Sequence, residues 1–142
     1  MEYGICNLGI VPARADDSDK AEIVTHILFG EHFEVLEQEE KWLKIRTHHD
    51  SYEAWICQKQ WQQITHEEYD NLSLNDFPKV GDKYGELVKQ DGTRIPVSYG
   101  AVLPFFHQGR CKLRQEELRY EGSIASGKSE DLEKYSLSLL NT

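Results

Sequence analysis

Three cysteines, six histidines and 25 carboxylates are the side chains of this 142-residue chain that could act on a substrate. A cysteine nucleophile needs a thiolate beside a histidine, a third polar group to orient the ring, and usually a helix start that lowers the thiol pKa. Cys6 and Cys57 fall in segments that read as strands and Cys111 follows a hairpin turn, so all three read as small buried apolar residues. They are widely separated, odd in number and without a Cys-x-x-Cys pair, which indicates neither a disulfide framework nor a zinc site. His48-His49-Asp50 is the densest metal-ligating group. Neighbours on a regular strand point to opposite faces and cannot share an ion, so these residues read as turn polars. Glu39-Glu40 and Glu116-Glu117 show no pattern that separates an acid from a base. Ser126-Gly127-Lys128-Ser129 lacks the glycine spacing of a phosphate-binding loop. Neither a cofactor nor a metal is expected.

The aromatic residues are more informative. Glu40-Lys41-Trp42-Leu43-Lys44-Ile45-Arg46 and Tyr52-Glu53-Ala54-Trp55-Ile56 each alternate side chains as a half-buried strand does, and His48-His49-Asp50-Ser51 between them has turn chemistry. With Leu43 and Ile45 inward, Trp42 faces outward, and Tyr52 and Trp55 start on opposite faces. These rings either border a groove or pack within the core. Ile23–Phe29 and Phe33–Glu37 flank a turn at Gly30-Glu31, and Glu2–Asn7 opens the chain as a strand. Short strands joined by tight turns predict a small barrel over residues 1–65. The proline and acidic cluster in 11–19 predict a loop there.

Thr65 and Glu68 have the spacing of a capping box, so a short helix is predicted through Leu72, within a linker that runs over 66–78. A second unit over 79–123 has strands predicted at Tyr84–Lys89, Arg94–Val97, Ala101–Phe106, Cys111–Arg114 and Leu118–Glu121, with turns at Asp91-Gly92 and Gln108-Gly109. Within a tail over 124–142, Ser129 can cap a helix whose Leu132, Tyr135, Leu139 and Leu140 share a stripe.

The order Tyr3-Gly4-Ile5-Cys6-Asn7-Leu8, Val11-Pro12-Ala13-Arg14, Leu28-Phe29-Gly30-Glu31, Trp42, Tyr52 and Trp55 resembles the bacterial SH3-like (SH3b) domains that precede NlpC/P60 cysteine peptidases of the cell wall. Gly100–Phe106 and Tyr120-Glu121-Gly122 resemble the second SH3b domain of that architecture, and Leu137–Thr142 resembles the helix that opens the peptidase domain. The resemblance implies a mainly β fold: two small SH3-like barrels with a short linker helix and a C-terminal helix. It implies a non-catalytic recognition region of a γ-D-glutamyl-diamino acid peptidase, since the Cys-Ser-Gly motif and the downstream histidine are absent from this sequence. In those peptidases the first SH3b domain helps hold the free amino end of a murein peptide, with a tyrosine before a Gly-Trp element and a carboxylate. The matching tyrosine is Tyr52, with Ala54 where glycine is usual, and Glu31 is the candidate carboxylate. Trp42 and Trp55 complete the candidate substrate-binding set. The expected partners are a murein-derived peptide and the chain's own NlpC/P60 catalytic domain. The alternative is an SH3-like interaction module that binds an extended peptide.

Net charge of −9 opposes attraction to phosphate backbones, so nucleic acid is not an expected partner. No apolar run reaches the roughly 18 residues of a membrane span. Met1-Glu2-Tyr3-Gly4 lacks the basic and apolar segments of an export signal. The expected location is therefore cytoplasmic, with the cell envelope as the alternative if an export signal has been removed.

Overall fold

Alternation of inward apolar and outward polar residues organises β4 (His32–Gln38), β5 (Trp42–Thr47) and β6 (Glu53–Cys57) in the computed structural model, which describes residues 1–125. In β5, Leu43, Ile45 and Thr47 are buried while Trp42, Lys44 and Arg46 lie on the other face, as the period of two requires. β1 (Glu2–Ile5), β2 (Ile10–Arg14), β3 (Ile23–Leu28) and β7 (Gln62–Ile64) complete a seven-stranded antiparallel sheet of order β3-β2-β6-β5-β4-β1-β7.

That order is linear, which corrects the expected barrel. β3 and β7 form its two edges, and among the described residues no ladder joins them. A barrel needs every strand paired on both sides with a consistent stagger. Here β7 has three residues, and β2 meets β6 at the single pair Arg14↔Trp55. Bulges between Val35 and Glu37 and between Ala13 and Arg14 bend the strands. One apolar cluster gathers Val11, Ala13, Ile27, Phe33, Val35, Leu43, Ile45, Ala54 and Ile56 from five of the strands, with Val24 and Trp61 packed against it.

The loop expected over 11–19 is shorter than its composition suggested. Ile10–Arg14 is a strand with Val11 and Ala13 buried, and the polar excursion spans 15–22, closed by Ala15 N–H donating to Glu22 O at 2.9 Å. Pro12 is tolerated because β2 has a full partner in β3 alone.

Helix α1 (His66–Leu74) starts where its capping box lies. Thr65 N–H donates to Glu68 Oε1 at 2.8 Å and Glu68 N–H donates back to Thr65 Oγ1 at 3.1 Å. The helix packs on β1 and β4 through buried Leu72 and through rings: Tyr69 lies 4.4 Å from Tyr3 and 4.9 Å from His32, centroid to centroid.

The chain divides into two compact units between Leu74 and Asn75. The second contains β8 (Lys79–Val80), β9 (Tyr84–Lys89), β10 (Arg94–Ser98), β11 (Arg110–Leu113), β12 (Glu116–Arg119) and β13 (Ile124–Ala125). These form a four-stranded antiparallel sheet, β10-β9-β12-β11, and a two-stranded one, β13-β8, again without closure among the described residues. Gly92, Gln108 and Gly109 take positive φ in the predicted turns. Ala101–Phe106 is not the expected strand. Val102 makes an isolated bridge with Lys79, Pro104 has no N–H to donate, and Phe105 sits at φ 53°. Ile124 and Ala125 pair with β8, and the helix expected after Gly127 lies outside the described residues.

Candidate functional site

Because β4 and β5 are antiparallel with Phe33 opposite Thr47, the turn that precedes β4 and the turn that follows β5 lie at one end of the sheet. The first carries Gly30, at φ 82°, and Glu31. The second carries His48, His49, Asp50 and Ser51, the last at φ 55°, and delivers Tyr52.

Glu31 is only 13% exposed in its side chain, and both oxygens are engaged. Oε1 accepts from Leu28 N–H at 2.6 Å, which fixes the turn, while Oε2 lies 3.3 Å from His49 Nδ1. On its other side, His49 Nε2 is 3.5 Å from Asp50 Oδ2. Asp50 in turn accepts from the Thr47 hydroxyl and, at 3.3 Å, from Tyr52 N–H. The Thr47 hydroxyl and then His49 hold the Asp50 carboxyl below the usual carboxylate range. Tyr52 is 42% exposed and is tied to this group through its backbone N–H. Two carboxylates thus converge on one imidazole in the turn that leads into Tyr52, an arrangement suited to a compact cation.

The other two predicted residues lie elsewhere. Trp55 is on the outward face of β6, paired with Lys44 of β5 and Arg14 of β2, and the Lys44 ammonium stands 5.9 Å from its ring centroid. Lys44 is further held by Glu37 at 4.0 Å and Glu53 at 3.8 Å. Trp42 pairs with Cys57 at the far end of the hairpin, about 16 Å of strand from Thr47. The structure therefore brings Glu31 to the turn that carries Tyr52 and leaves Trp42 and Trp55 apart. It adds His49 and Asp50, which sequence reasoning had read only as turn polars. The signal was available: an antiparallel β4–β5 hairpin puts residues just before His32 beside residues just after Thr47.

The neighbouring histidine goes another way. His48 stacks on His32, centroids 4.5 Å apart, and its Nδ1 lies 3.3 Å from the Tyr69 hydroxyl. Ser73 Oγ donates to Tyr69 O, so it accepts from His32 at 3.0 Å, which assigns the Nε2–H tautomer to His32. Of the cysteines, Cys6 and Cys111 are buried, and burial pushes each thiol up to about 12. At neutral pH the thiolate fraction is then on the order of 1 in 100,000, far from that of a nucleophile.

Residues 14–60, which hold Glu31, Trp42, Tyr52 and Trp55, match the family model for the bacterial dipeptidyl-peptidase Sh3 domain. Among solved structures, the chain is similar to an NlpC/P60 family protein from Bacillus cereus ATCC 10987, with a TM-score of 0.67 at 16% identity over 90% of this chain. The chain spans 57% of the length of that protein. At such identity the likeness is one of fold. No curated protein matches the chain. No helix among the described residues is long and apolar enough to cross a membrane.

Proposed function

We propose that this chain is the non-catalytic recognition region of a bacterial NlpC/P60-type cell-wall peptidase of the γ-D-glutamyl-diamino acid kind, made of two SH3-like units. Its first unit would hold the free amino end of a short murein peptide at the Glu31–Tyr52 end of the sheet, and its partner would be the catalytic domain of the same enzyme. The observation that carries this reading is the convergence of Glu31 and Asp50 on His49 beside Tyr52, inside the segment that matches the Sh3 family model. His49 stands where a ligand ammonium would stand, so the peptide takes over contacts that the imidazole makes in its absence. A charge-assisted hydrogen bond of that kind contributes about 1.5 to 3 kcal/mol, enough to select free over blocked N-termini by roughly tenfold or more. Both Glu31 oxygens are engaged, so the site depends on the His49 contact giving way while the Leu28 contact stays.

The test is an NMR titration of the chain with L-Ala-γ-D-Glu-diaminopimelate and with its N-acetyl derivative. The free amine should shift the amides of Glu31, His49 and Tyr52, and acetylation should weaken binding at least tenfold. Tyr52→Phe and Glu31→Gln should each weaken the free-amine peptide while leaving the spectrum folded. Equal responses to the two peptides would sink the reading. A proline-rich peptide that bound at the exposed aromatics instead would favour the SH3-like interaction module.

A further inference from the structure

The excess charge of the chain belongs to its first unit. Met1–Leu74 carries 15 acidic against 6 basic residues, whereas the chain from Asn75 onward carries 10 of each. On that neutral unit, cations gather on one face of the β11–β12 hairpin. Cys111 and Leu113 point into the core, so Arg110 and Lys112 point outward. The register sets Arg110 opposite Arg119 and Lys112 opposite Glu117. Residues directly opposite share a face with Cβ atoms about 5 Å apart, and like charges so placed repel. The carboxylates in reach engage them loosely. Arg110 Nη1 lies 3.7 Å from Glu117 and Arg119 Nε 3.4 Å from Glu121, whose side chain is 81% exposed. Such surface pairs contribute little.

A concavity of about 400 Å³ opens between these two arginines and the turn after β9, with Val88 as its apolar patch and Gln90 and Gly92 at its rim. Lys89 and Glu117 also line it, so a ligand carboxylate has to take the place of the Glu117 carboxylate beside Arg110. A Cβ at Gly92 would meet nothing within 4 Å, so the rim is open to a ligand. We infer that this concavity binds a carboxylate-bearing organic ligand, such as the acidic side chain or terminal carboxylate of a peptide, gripped between Arg110 and Arg119. A guanidinium presents N–H groups in a planar fork that matches a carboxylate, and one anion between two forks relieves their mutual repulsion. The apolar face of Val88, opposite Arg119 in the sheet, favours an organic acid over an inorganic ion. This site lies within the second unit and does not rest on the reading of the first.

The probes are N-acetyl-glutamate, its diamide and inorganic phosphate, each titrated into the isotope-labelled chain. N-acetyl-glutamate should move the Arg110 and Arg119 Nε–H signals and the Gly92 amide, and the diamide should not. Arg110→Gln and Arg119→Gln should each weaken binding at least fivefold, while Arg94→Gln, whose parent side chain pairs with Glu86 at 2.8 Å, should leave it unchanged. Arg119→Lys keeps the charge and loses the fork, so it should weaken binding too. The thermal midpoint of Arg119→Gln should not fall, because one member of a repelling pair is gone. Unaltered affinity in both glutamine variants, shifts induced equally by the diamide, or phosphate binding tighter than N-acetyl-glutamate would overturn the inference.

Discussion

His32 is held between a second imidazole, the Tyr69 ring and the Ser73 hydroxyl, and burial first, then the nearby His48 and His49, lower its pKa to about 4. An unfolded histidine titrates near 6.5. The folded state therefore binds the proton less well than the unfolded one, and the stability tied to neutral His32 is fully present above pH 6.5 and lost as pH falls toward 4. The effect is on the order of 1 to 2 kcal/mol once solvent screening at this half-buried site is allowed for. Urea midpoints compared at pH 7 and pH 5 should fall for the parent chain, and the slope should flatten in His32→Gln. An unchanged slope in that variant would show that the imidazole is not the group responsible. Glu31 and Tyr52 belong to the same scale. The first was legible as a turn carboxylate, but its bond to Leu28 N–H and its closeness to His49 depend on turn geometry that residue types alone do not carry.

Among the elements, α1 has little apolar character of its own, with Leu72 as its buried residue, so its start signal matters more than usual. Thr65→Ala removes one half of the reciprocal capping contact and should cost about 1 kcal/mol, read as a lower thermal midpoint with the sheet signals intact. An unchanged midpoint would mean that the rings of Tyr3, Tyr69 and His32 alone hold the helix. The cap was readable because Thr65 and Glu68 act over three residues. The strands from β4 to β6 were readable for a related reason: each buries alternate side chains on a single face, so period and burial coincide. β2 was missed because Pro12 mimics a loop signal, and its strand character comes from pairing with β3, a contact distant in sequence. Ala101–Phe106 failed in the opposite sense. Its apolar run is core-forming, with Ala101 and Leu103 wholly buried, yet Pro104 and the left-handed Phe105 prevent a ladder. Apolar content reports burial, and only hydrogen-bond partners make a strand.

At the scale of the whole chain, the two units divide the charge: the first is strongly acidic and the second is neutral. A cation approaching the first unit is drawn in by a field that dissolved salt screens within about 10 Å at 0.1 M. Association of the free-amine peptide should therefore slow severalfold between 0.05 and 0.5 M NaCl, whereas that of N-acetyl-glutamate with the second unit should vary less. Stopped-flow rates at the two salt levels distinguish this from a purely local contact, for which both would change alike. The larger sheet has a further property. The leaf formed by β2 and β3 is joined to the other five strands by one rung, Arg14↔Trp55, fewer than at any other strand boundary in that sheet. That rung is a seam: a thermal fluctuation that parts the two leaves there gives up the least backbone pairing, so the unit can breathe along it while the hairpin that carries Tyr52 stays whole.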